Sequence, residues 1–334
     1  MMEALKLDQK ESQEDKRQSG QETNGDSHKS KWKKFLKTLA EQKYLYLMSL
    51  PFIILVLIFN YFPLVGWTMA FQNYKPTLPF FQQEWVGLEH FIRLFSDDRF
   101  YLVLRNTIAM SVLGLTFGFV VPIIFALLLN EVRVTFFKRT VQTISYLPHF
   151  VSWVVIAGIV KELLSVDNGV VNELLMTIGL IDKPINFMAE GKYFWWILTF
   201  SDIWKETGWN AIIYLAAMSG IDSQLYEAAK VDGASRLRQI WHVTLPGIRP
   251  TILVLLVLSI GNLIRTGYER QMLLGNALVI EYSEVLDLYA LNYGINLGNY
   301  SYGTAIGVFS SVISILLIIF ANRLAKKFTD SSVI

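Results

Sequence analysis

The chain has 334 residues, of which 53% are hydrophobic and only 17% are charged. Soluble domains carry about 25% charged residues, and the mean hydropathy of +0.37 reflects long apolar runs. This composition excludes an ordinary soluble fold and predicts an integral membrane protein. The net charge of +2 gives no indication of nucleic-acid binding, and the lack of cysteine excludes disulfides, thiol nucleophiles and thiolate metal sites.

The N-terminal part differs in composition from the rest. Residues 1–30 contain no aromatic side chain and are rich in Gln, Glu, Lys, Ser and Asp. They cannot bury enough apolar area to offset the entropy lost on ordering, so we expect a disordered cytoplasmic tail. Residues 31–43 form a basic amphipathic lead-in, which either lies on the anionic lipid of the inner leaflet or simply flanks the first span.

Residues 44–334 are predicted to be an all-α membrane domain with six transmembrane helices. A helix needs about 20 mostly apolar residues to cross about 30 Å of hydrocarbon. The predicted spans are residues 44–69, 108–129, 144–164, 194–218, 251–268 and 304–324. The third span is weakened by Pro148 and His149 near its start, and the fourth carries polar residues in its middle.

The basic residues predict the orientation of these spans. They cluster at residues 31–43, 133–139, 230–249 and 323–327. The positive-inside rule places these stretches, and both chain termini, in the cytoplasm. The opposite connections are long and rich in aromatic and acidic residues, at 71–105, 165–193 and 269–303. They either form small interfacial helices that cap a cavity or provide a plain belt of interfacial Trp and Tyr.

The connection between spans four and five, residues 222–250, carries the most information. Asp232-Gly233 supplies a break where positive φ costs little. Leu237, Ile240 and Trp241 then recur at the spacing of an amphipathic helix. We therefore expect a short helix, a glycine turn and a second short helix, with a proline before the fifth span. Such an element on the inner face suits docking into a groove of a soluble partner.

This connection also carries a recognisable motif. Its residues include, in order, Glu227-Ala228-Ala229, Gly233, Val243 and Leu245-Pro246. The pattern resembles the EAA loop of binding-protein-dependent ABC importer permeases, with Val243 where that family usually has Ile. The resemblance implies a type I importer permease fold and a coupling role toward a cytoplasmic ATPase. The implied coupling residues are Glu227, Ala228, Ala229, Asp232, Gly233, Val243, Leu245 and Pro246.

Further segments resemble the sugar-permease branch of that family. They are Val86-Gly87-Leu88-Glu89-His90-Phe91, Arg105-Asn106-Thr107, Leu147-Pro148, and Trp204-Lys205 with Gly208. The likeness covers about residues 40 to 330. It is closest to the subgroup that imports oligosaccharides released from polysaccharides.

The resemblance implies a set of partners in a bacterial cytoplasmic membrane. They are a second, non-identical permease, two cytoplasmic ATPases that use ATP and Mg, and an extracytoplasmic binding protein that delivers the oligosaccharide. This chain would need no cofactor and would not be an enzyme. It lacks a Gly-x-x-x-x-Gly-Lys-Ser/Thr phosphate-binding loop, and its four histidines show no metal-ligand spacing.

Ionisable residues within spans are costly in a membrane and are candidates for a substrate path. The candidates in and near spans four and five are Asp202, Trp204, Lys205, Glu206, Trp209, Arg265, Tyr268 and Glu269. Asp202, Lys205 and Glu206 share one helical face, where Lys205 can pair with an acid. Arg265 and Glu269 are likewise four residues apart, and Arg265 suits an acidic oligosaccharide. The alternative is that these groups form structural ion pairs.

Two other functions stay open at this stage. The first is a secondary sugar transporter driven by an ion gradient, although such folds often show internal repeats and more spans, which are not found here. The second is a membrane receptor or scaffold without transport. Uptake that depends on ATP would argue against the first alternative, and a stable complex with an ATPase would argue against both.

Overall fold

The computed structural model describes Thr38 and residues 41–328, and it separates into two units at the Gly66–Trp67 bond. The predicted disordered tail lies outside the described residues, as does most of the basic lead-in. In the first unit, helix α1 spans Lys43–Val56, contains Pro51 and continues as a π turn over Leu57–Tyr61. A 3₁₀ segment, Phe62–Phe71, follows.

The second unit is helical apart from one pair of two-residue strands, as far as the structure describes it. Strands β1 (Gln72–Asn73) and β2 (Glu84–Trp85) pair antiparallel, with Gln72 opposite Trp85. The shorter helices are α2 (Glu89–Phe95), α7 (Val170–Thr177), α9 (Ser223–Val231), α10 (Arg236–Gln239), α12 (Glu269–Leu274), α13 (Ile280–Ser283) and α14 (Leu286–Leu291). The longer helices are α3 (Asp98–Leu113), α4 (Phe119–Glu131), α5 (Thr135–Tyr146), α6 (Trp153–Leu163), α8 (Gly191–Ser219), α11 (Leu245–Gly261) and α15 (Tyr300–Phe328).

Short 3₁₀ and π turns join or extend several of these helices. The 3₁₀ turns span Phe80–Gln82, Leu147–Phe150 and Ala277–Val279. The π turns of this unit span Gly114–Gly118, Ile240–Thr244 and Asn292–Asn296. The first two π turns join α3 to α4 and α10 to α11, so each pair forms one continuous helical stretch.

The helices confirm the predicted all-α membrane fold. Among the described residues, four helical stretches are long and apolar enough to cross a membrane, at Lys43–Phe71, Asp98–Glu131, Arg236–Gly261 and Tyr300–Lys326. A bent pair, Thr135–Phe150 and Trp153–Leu163, passes the same criteria if it counts as one span. Helix α8 coincides with the predicted fourth span and has 29 residues, about 43 Å of helix. Its charged residues Asp202, Lys205 and Glu206 make it more polar than the others.

The third span is broken at Pro148, the proline expected to weaken its start, so residues 144–164 do not form one continuous helix. Helix α5 ends at Tyr146, and α6 starts at Trp153 with its axis turned by 105°. Pro148 sits in the 3₁₀ turn between them, where its missing N–H and its ring prevent the helix from continuing. The hydroxyl of Ser152 then caps the start of α6.

The fifth span also differs from the prediction. The expected second short helix of the loop is present as α10, but it is not separate from the span, because Arg236–Gly261 is one helical stretch through the π turn. The π turn widens the helix just before Pro246, whose ring would otherwise clash with the preceding turn. At the other end the helix stops at Gly261 instead of residue 268, and residues 262–268 are irregular.

Helix α8 contributes to two buried apolar clusters of this unit, one near each of its ends. At one end, Phe194 and Leu198 are buried with residues from four other helices, namely Met110, Ile156, Leu274 and Leu288. At the other end, Ala211, Tyr214 and Met218 are buried against Ala126 of α4 and Ile248 of α11. Packing at both ends of α8 therefore fixes the positions of the polar groups in its middle.

Close packing of α8 on α5 depends on Gly208. A Cβ atom at this position would overlap the backbone carbonyl of Ser145 and also its side chain. The glycine of the Trp204-Lys205 and Gly208 segment thus has a clear structural role, since any larger residue at this position would push α5 away.

We predict that Gly208→Ala destabilises the protein by about 1–3 kcal/mol, the usual cost of overpacking a close contact. The backbone of Ser145 cannot rotate away as a side chain would. The melting temperature of the purified protein would report the loss. Gly307→Ala in α15 is the matched control, because its Cβ would meet no atom within 4 Å in the described part of the chain. Equal melting temperatures for the two variants would contradict the assigned contact.

Candidate functional site

A cavity of about 450 Å³ lies beside the middle of α8. It is bounded by the junction of α3 and α4, by α8, and by the irregular segment after α11 together with the start of α12. Its volume is within the range of small-ligand pockets. The lining combines apolar residues such as Leu115 and Phe119 with hydroxyl, amide and charged groups, including Ser111, Asn210, Ser259 and Asn262. Such a lining suits a ligand that carries many hydroxyl groups.

Asp202 and Glu206 of α8 both line the cavity. Asp202 forms an ion pair with Arg270, which the sequence analysis did not select. Arg270 Nη2 also donates to the carbonyl of Thr266 at 3.0 Å. Burial lowers the pKa of Arg270 to about 10, so the guanidinium stays charged at neutral pH. No sequence signal marked Arg270, because it lies in an apparent outer connection whose return toward α8 depends on the irregular segment.

Lys205 points away from the cavity toward the break in the third span. Its ammonium is buried and donates to three carbonyl oxygens at that break, those of Pro148 (3.3 Å), His149 (2.6 Å) and Val151 (2.9 Å). The expected pairing with an acid exists only as a longer contact to Glu206, at 3.6 Å. Lys205 thus supplies donors to carbonyls at the break in the helix, of which that of Pro148 also accepts from Val151 N at 3.1 Å.

Glu206 connects the cavity with the same break. Its Oε2 lies 2.7 Å from Nδ1 of His149. The ring of His149 is stacked on Trp209 of α8, with centroids 4.3 Å apart and planes 1° from parallel. If a ligand or a movement of α8 displaced this carboxylate, its contact with His149 would pass the displacement to the break.

The other candidate path residues are spread over several places. Arg265 lines the cavity and donates from Nη2 to Ser311 Oγ at 2.8 Å. The expected helical pairing of Arg265 with Glu269 is wrong, because α11 ends before both residues and Glu269 begins α12. Glu269 lies outside the cavity lining, as do three exposed aromatic residues, Trp204, Trp209 and Tyr268.

The predicted glycine turn of the loop is present. Helix α9 is capped at its start by the side chain of Asp222, which accepts from Gln224 N at 2.9 Å. At its end, Ala234 N donates to Ala229 O at 2.9 Å and Gly233 N donates to Lys230 O at 3.0 Å. Gly233 has a φ of +73°. These are the two hydrogen bonds of a Schellman motif with glycine at the left-handed position.

The loop exposes most of the residues of the EAA-like pattern. Glu227, Ala228, Asp232, Gly233 and Pro246 are exposed, while Ala229, Val243 and Leu245 are partly buried. Large apolar side chains are exposed on the same loop, at Leu225, Val231, Leu237 and Trp241. The hydroxyl of Tyr226 lies 3.0 Å from that of Thr244, which ties α9 to the π turn that leads into α11.

The Arg-Asn-Thr motif secures the segment before α14. Asn106 Nδ2 donates to the carbonyls of Glu281 and Glu284, both at 2.9 Å. Thr107 Oγ1 accepts from Leu286 N at 3.0 Å. The motif therefore holds residues 281–286, the segment just before and at the start of α14, against α3.

We predict that Lys205→Met lowers the stability of the protein by about 3 kcal/mol, since buried carbonyls would lose charged donors. The melting temperature should fall, and uptake per folded molecule should change little. Lys192→Met, on an exposed lysine of the same helix, is the control. A variant that melts like the wild type but transports poorly would instead indicate a role in the substrate path.

Comparison with known proteins identifies the family of this chain. Residues 118–330 match the family model described as "Binding-protein-dependent transport system inner membrane component". The chain is 48% identical over 305 residues to the polygalacturonan/rhamnogalacturonan transport system permease protein YteP of Bacillus subtilis, covering 91% of this chain and 94% of the relative. It is 44% identical over 294 residues to protein LplB of the same organism, covering 88% and 92%.

Solved structures agree with this match. The fold superposes with a TM-score of 0.82, at 40% identity, on a chain of a bacterial ABC transporter involved in the import of the acidic polysaccharide alginate. The match covers 89% of this chain and 99% of that chain. A second structure, the alginate transporter in complex with an alginate pentasaccharide-bound periplasmic protein, gives the same TM-score. The chain therefore belongs to the binding-protein-dependent transport system inner membrane components and is an ABC importer permease, as the EAA-like loop predicted.

Proposed function

We propose that this chain is one of two non-identical permease subunits that together import an acidic, polysaccharide-derived oligosaccharide. The observation that carries the proposal is the pair of guanidinium groups, Arg265 and Arg270, in a cavity beside α8. The names of the relatives support it, because one is a polygalacturonan and rhamnogalacturonan permease and another transporter imports alginate. Polygalacturonan and alginate are polymers of uronic acids, and rhamnogalacturonan contains galacturonic acid; the carboxylates of these sugars are natural partners for arginine.

The importer needs partners that supply energy and substrate. We assign ATP hydrolysis, with Mg, to two cytoplasmic ATPases, one of which binds the loop at residues 222–250. An extracytoplasmic binding protein would deliver the sugar, in line with the periplasmic protein named for the alginate complex. This chain would sit in the bacterial cytoplasmic membrane, with both termini and the loop on the cytoplasmic side, as the positive-inside rule predicts.

We assign the coupling of ATP hydrolysis to the exposed loop around α9. Exposed apolar side chains such as Val231 and Trp241 leave a surface that a partner can cover. The carboxylate of Glu227 is exposed on the same helix and can meet basic groups of the ATPase. The Schellman turn at Gly233 sets the direction of α9, and the Tyr226–Thr244 contact links it to the fifth span.

The substrate path is proposed to pass along the cavity. Asp202, Glu206 and Arg265 lie in its lining and are the earlier candidates best placed to meet the sugar. Trp204 and Tyr268 are exposed and can meet the sugar where the second permease completes the path. Trp209 is also exposed, but one face of its ring is stacked on His149. Aromatic faces of this kind are suited to stacking on the apolar faces of sugar rings.

We predict that Gly233→Val uncouples ATP hydrolysis from sugar uptake. A non-glycine residue at positive φ costs about 1–2 kcal/mol, and a β-branched side chain fits worse. The turn would relax toward another geometry and tilt α9 on the ATPase. In reconstituted vesicles, uptake and sugar-stimulated ATP hydrolysis should fall severalfold while membrane levels of the protein stay normal.

Gly220→Ala is the matched control, because that glycine has a negative φ and its Cβ would make only an ordinary contact with Ala217. It should leave both activities near the wild-type level. Normal stimulation of ATP hydrolysis by sugar in Gly233→Val would refute the coupling role of this loop.

A further inference from the structure

Arg270, which lines the cavity, has one N–H donor without a hydrogen-bond partner in the described part of the chain. Its Nη1 faces the carboxylate of Asp202 and its Nη2 donates to Thr266, but its buried Nε–H has no partner among the described residues. A buried guanidinium N–H without an acceptor is costly, and native structures rarely leave one unpaired. The Nε–H is closed to water-sized molecules as the side chain stands, so an acceptor reaches this edge only when the guanidinium turns from Asp202. Together with the neighbouring Nη group, the Nε edge can then hold a carboxylate through two parallel hydrogen bonds.

The charges of the cavity are balanced before any ligand enters. Among the described residues, the charged groups of its lining are Asp202, Glu206, Arg265 and Arg270. Glu206 is already held by His149, and Asp202 is held by Arg270. An anionic ligand therefore meets the guanidinium of Arg270 when it is already paired with Asp202. The ligand must either displace the carboxylate of Asp202 or share the guanidinium with it.

Asp202 and Arg270 are well placed for such a competition. Asp202 lies on the packed helix α8, whereas Arg270 starts from α12, directly after the irregular segment. That segment is pinned by other contacts: Gly267 N donates to Asp287 at 2.7 Å, and the hydroxyl of Ser111 donates to the carbonyl of Leu263. The arginine side chain can thus change partner without movement of the chain that carries it.

We propose that Arg270 is the residue that selects for acidic sugars, binding a uronate carboxylate through its Nε edge, and that Asp202 is a built-in competitor that keeps this binding weak. The inference rests on the proposed function, and it assigns the specificity to one ion pair. A permeation site must bind strongly enough to admit its ligand and weakly enough to release it. Because the carboxylate of Asp202 competes for the same guanidinium, Arg270 can bind the sugar carboxylate and still release it.

The test compares two sugars of equal length that differ in charge. The probes are a galacturonate trisaccharide and the same trisaccharide with its carboxyl groups reduced to alcohols. Uptake of each is measured in vesicles that contain the full importer, for the wild type, Asp202→Asn, Arg270→Gln and the double variant. The binding protein is identical in every reaction, so the ratio of variant to wild-type uptake for each sugar reports the permease alone.

We expect the double variant, which removes both charges of the ion pair together, to raise the KM for the acidic trisaccharide about tenfold or more. The KM for the reduced sugar should stay within about twofold of wild type. Asp202→Asn should lower the KM for the acidic sugar and slow its maximal uptake, since release becomes harder. Arg133→Gln, on an exposed arginine away from the cavity, is the control and should change neither KM.

Three results would overturn the proposal. Equal effects of the double variant on both sugars would make the ion pair structural only. An unchanged KM for the acidic sugar in Asp202→Asn would exclude the competitor role. A wild-type importer that moves only the reduced trisaccharide would reject the acidic substrate itself, and with it the proposed function, whereas the first two results would leave that function standing.

Discussion

The structure of this membrane protein depends on how it satisfies backbone groups where its spans are broken. In hydrocarbon there is no water to pair with an exposed carbonyl, so irregular backbone is tolerated only when protein groups or a polar cavity pair with it. The break between α5 and α6 meets this constraint with one buried ammonium, because Lys205 donates to the carbonyls of Pro148, His149 and Val151. A charge placed in the middle of α8 is thus compensated by the backbone of its neighbour. Gly208, one turn further along, lets that neighbour approach.

The second break meets the same constraint in a different way. After Gly261 the chain leaves the helix, and its irregular residues line the cavity beside α8. Discontinuous helices often provide the substrate sites of transporters, since they bring backbone polar groups to the depth of the membrane. The two breaks are joined through α8, where Lys205 serves the first and Asp202 reaches Arg270 near the second. Movement of one break is therefore expected to shift the other through α8. An importer needs a mechanical link of this kind between its substrate path and the ATPases that drive it.

Much of this architecture could be predicted from the sequence, and the failures have clear physical causes. Long apolar runs predict spans because length and hydropathy are local properties, and the turn at Gly233 was predictable because a left-handed residue favours glycine. Pro148 marked the start of the third span as weak, but the geometry of the break depends on tertiary partners such as Lys205. The end of the fifth span was placed too late because apolar residues, Leu263 and Ile264, continue beyond Gly261. The spacing of Asp202, Lys205 and Glu206 predicts a shared helical face, but Lys205 turns toward the break in the third span while the two acids line the cavity. The choice of partner depended on the position of α5, which the sequence does not show. Arg270 was missed for the same reason, since its partner lies 68 positions away in the chain.

The most direct measurement is uptake by a defined, reconstituted importer. Vesicles would contain this chain, the second permease and the two ATPases, with labelled galacturonate oligosaccharide and the binding protein added outside. We expect accumulation that requires ATP at the ATPase side and the binding protein at the other, and that continues after ionophores collapse all ion gradients. Accumulation that persists without ATP and stops when the gradients collapse would contradict the assignment and favour an ion-coupled transporter.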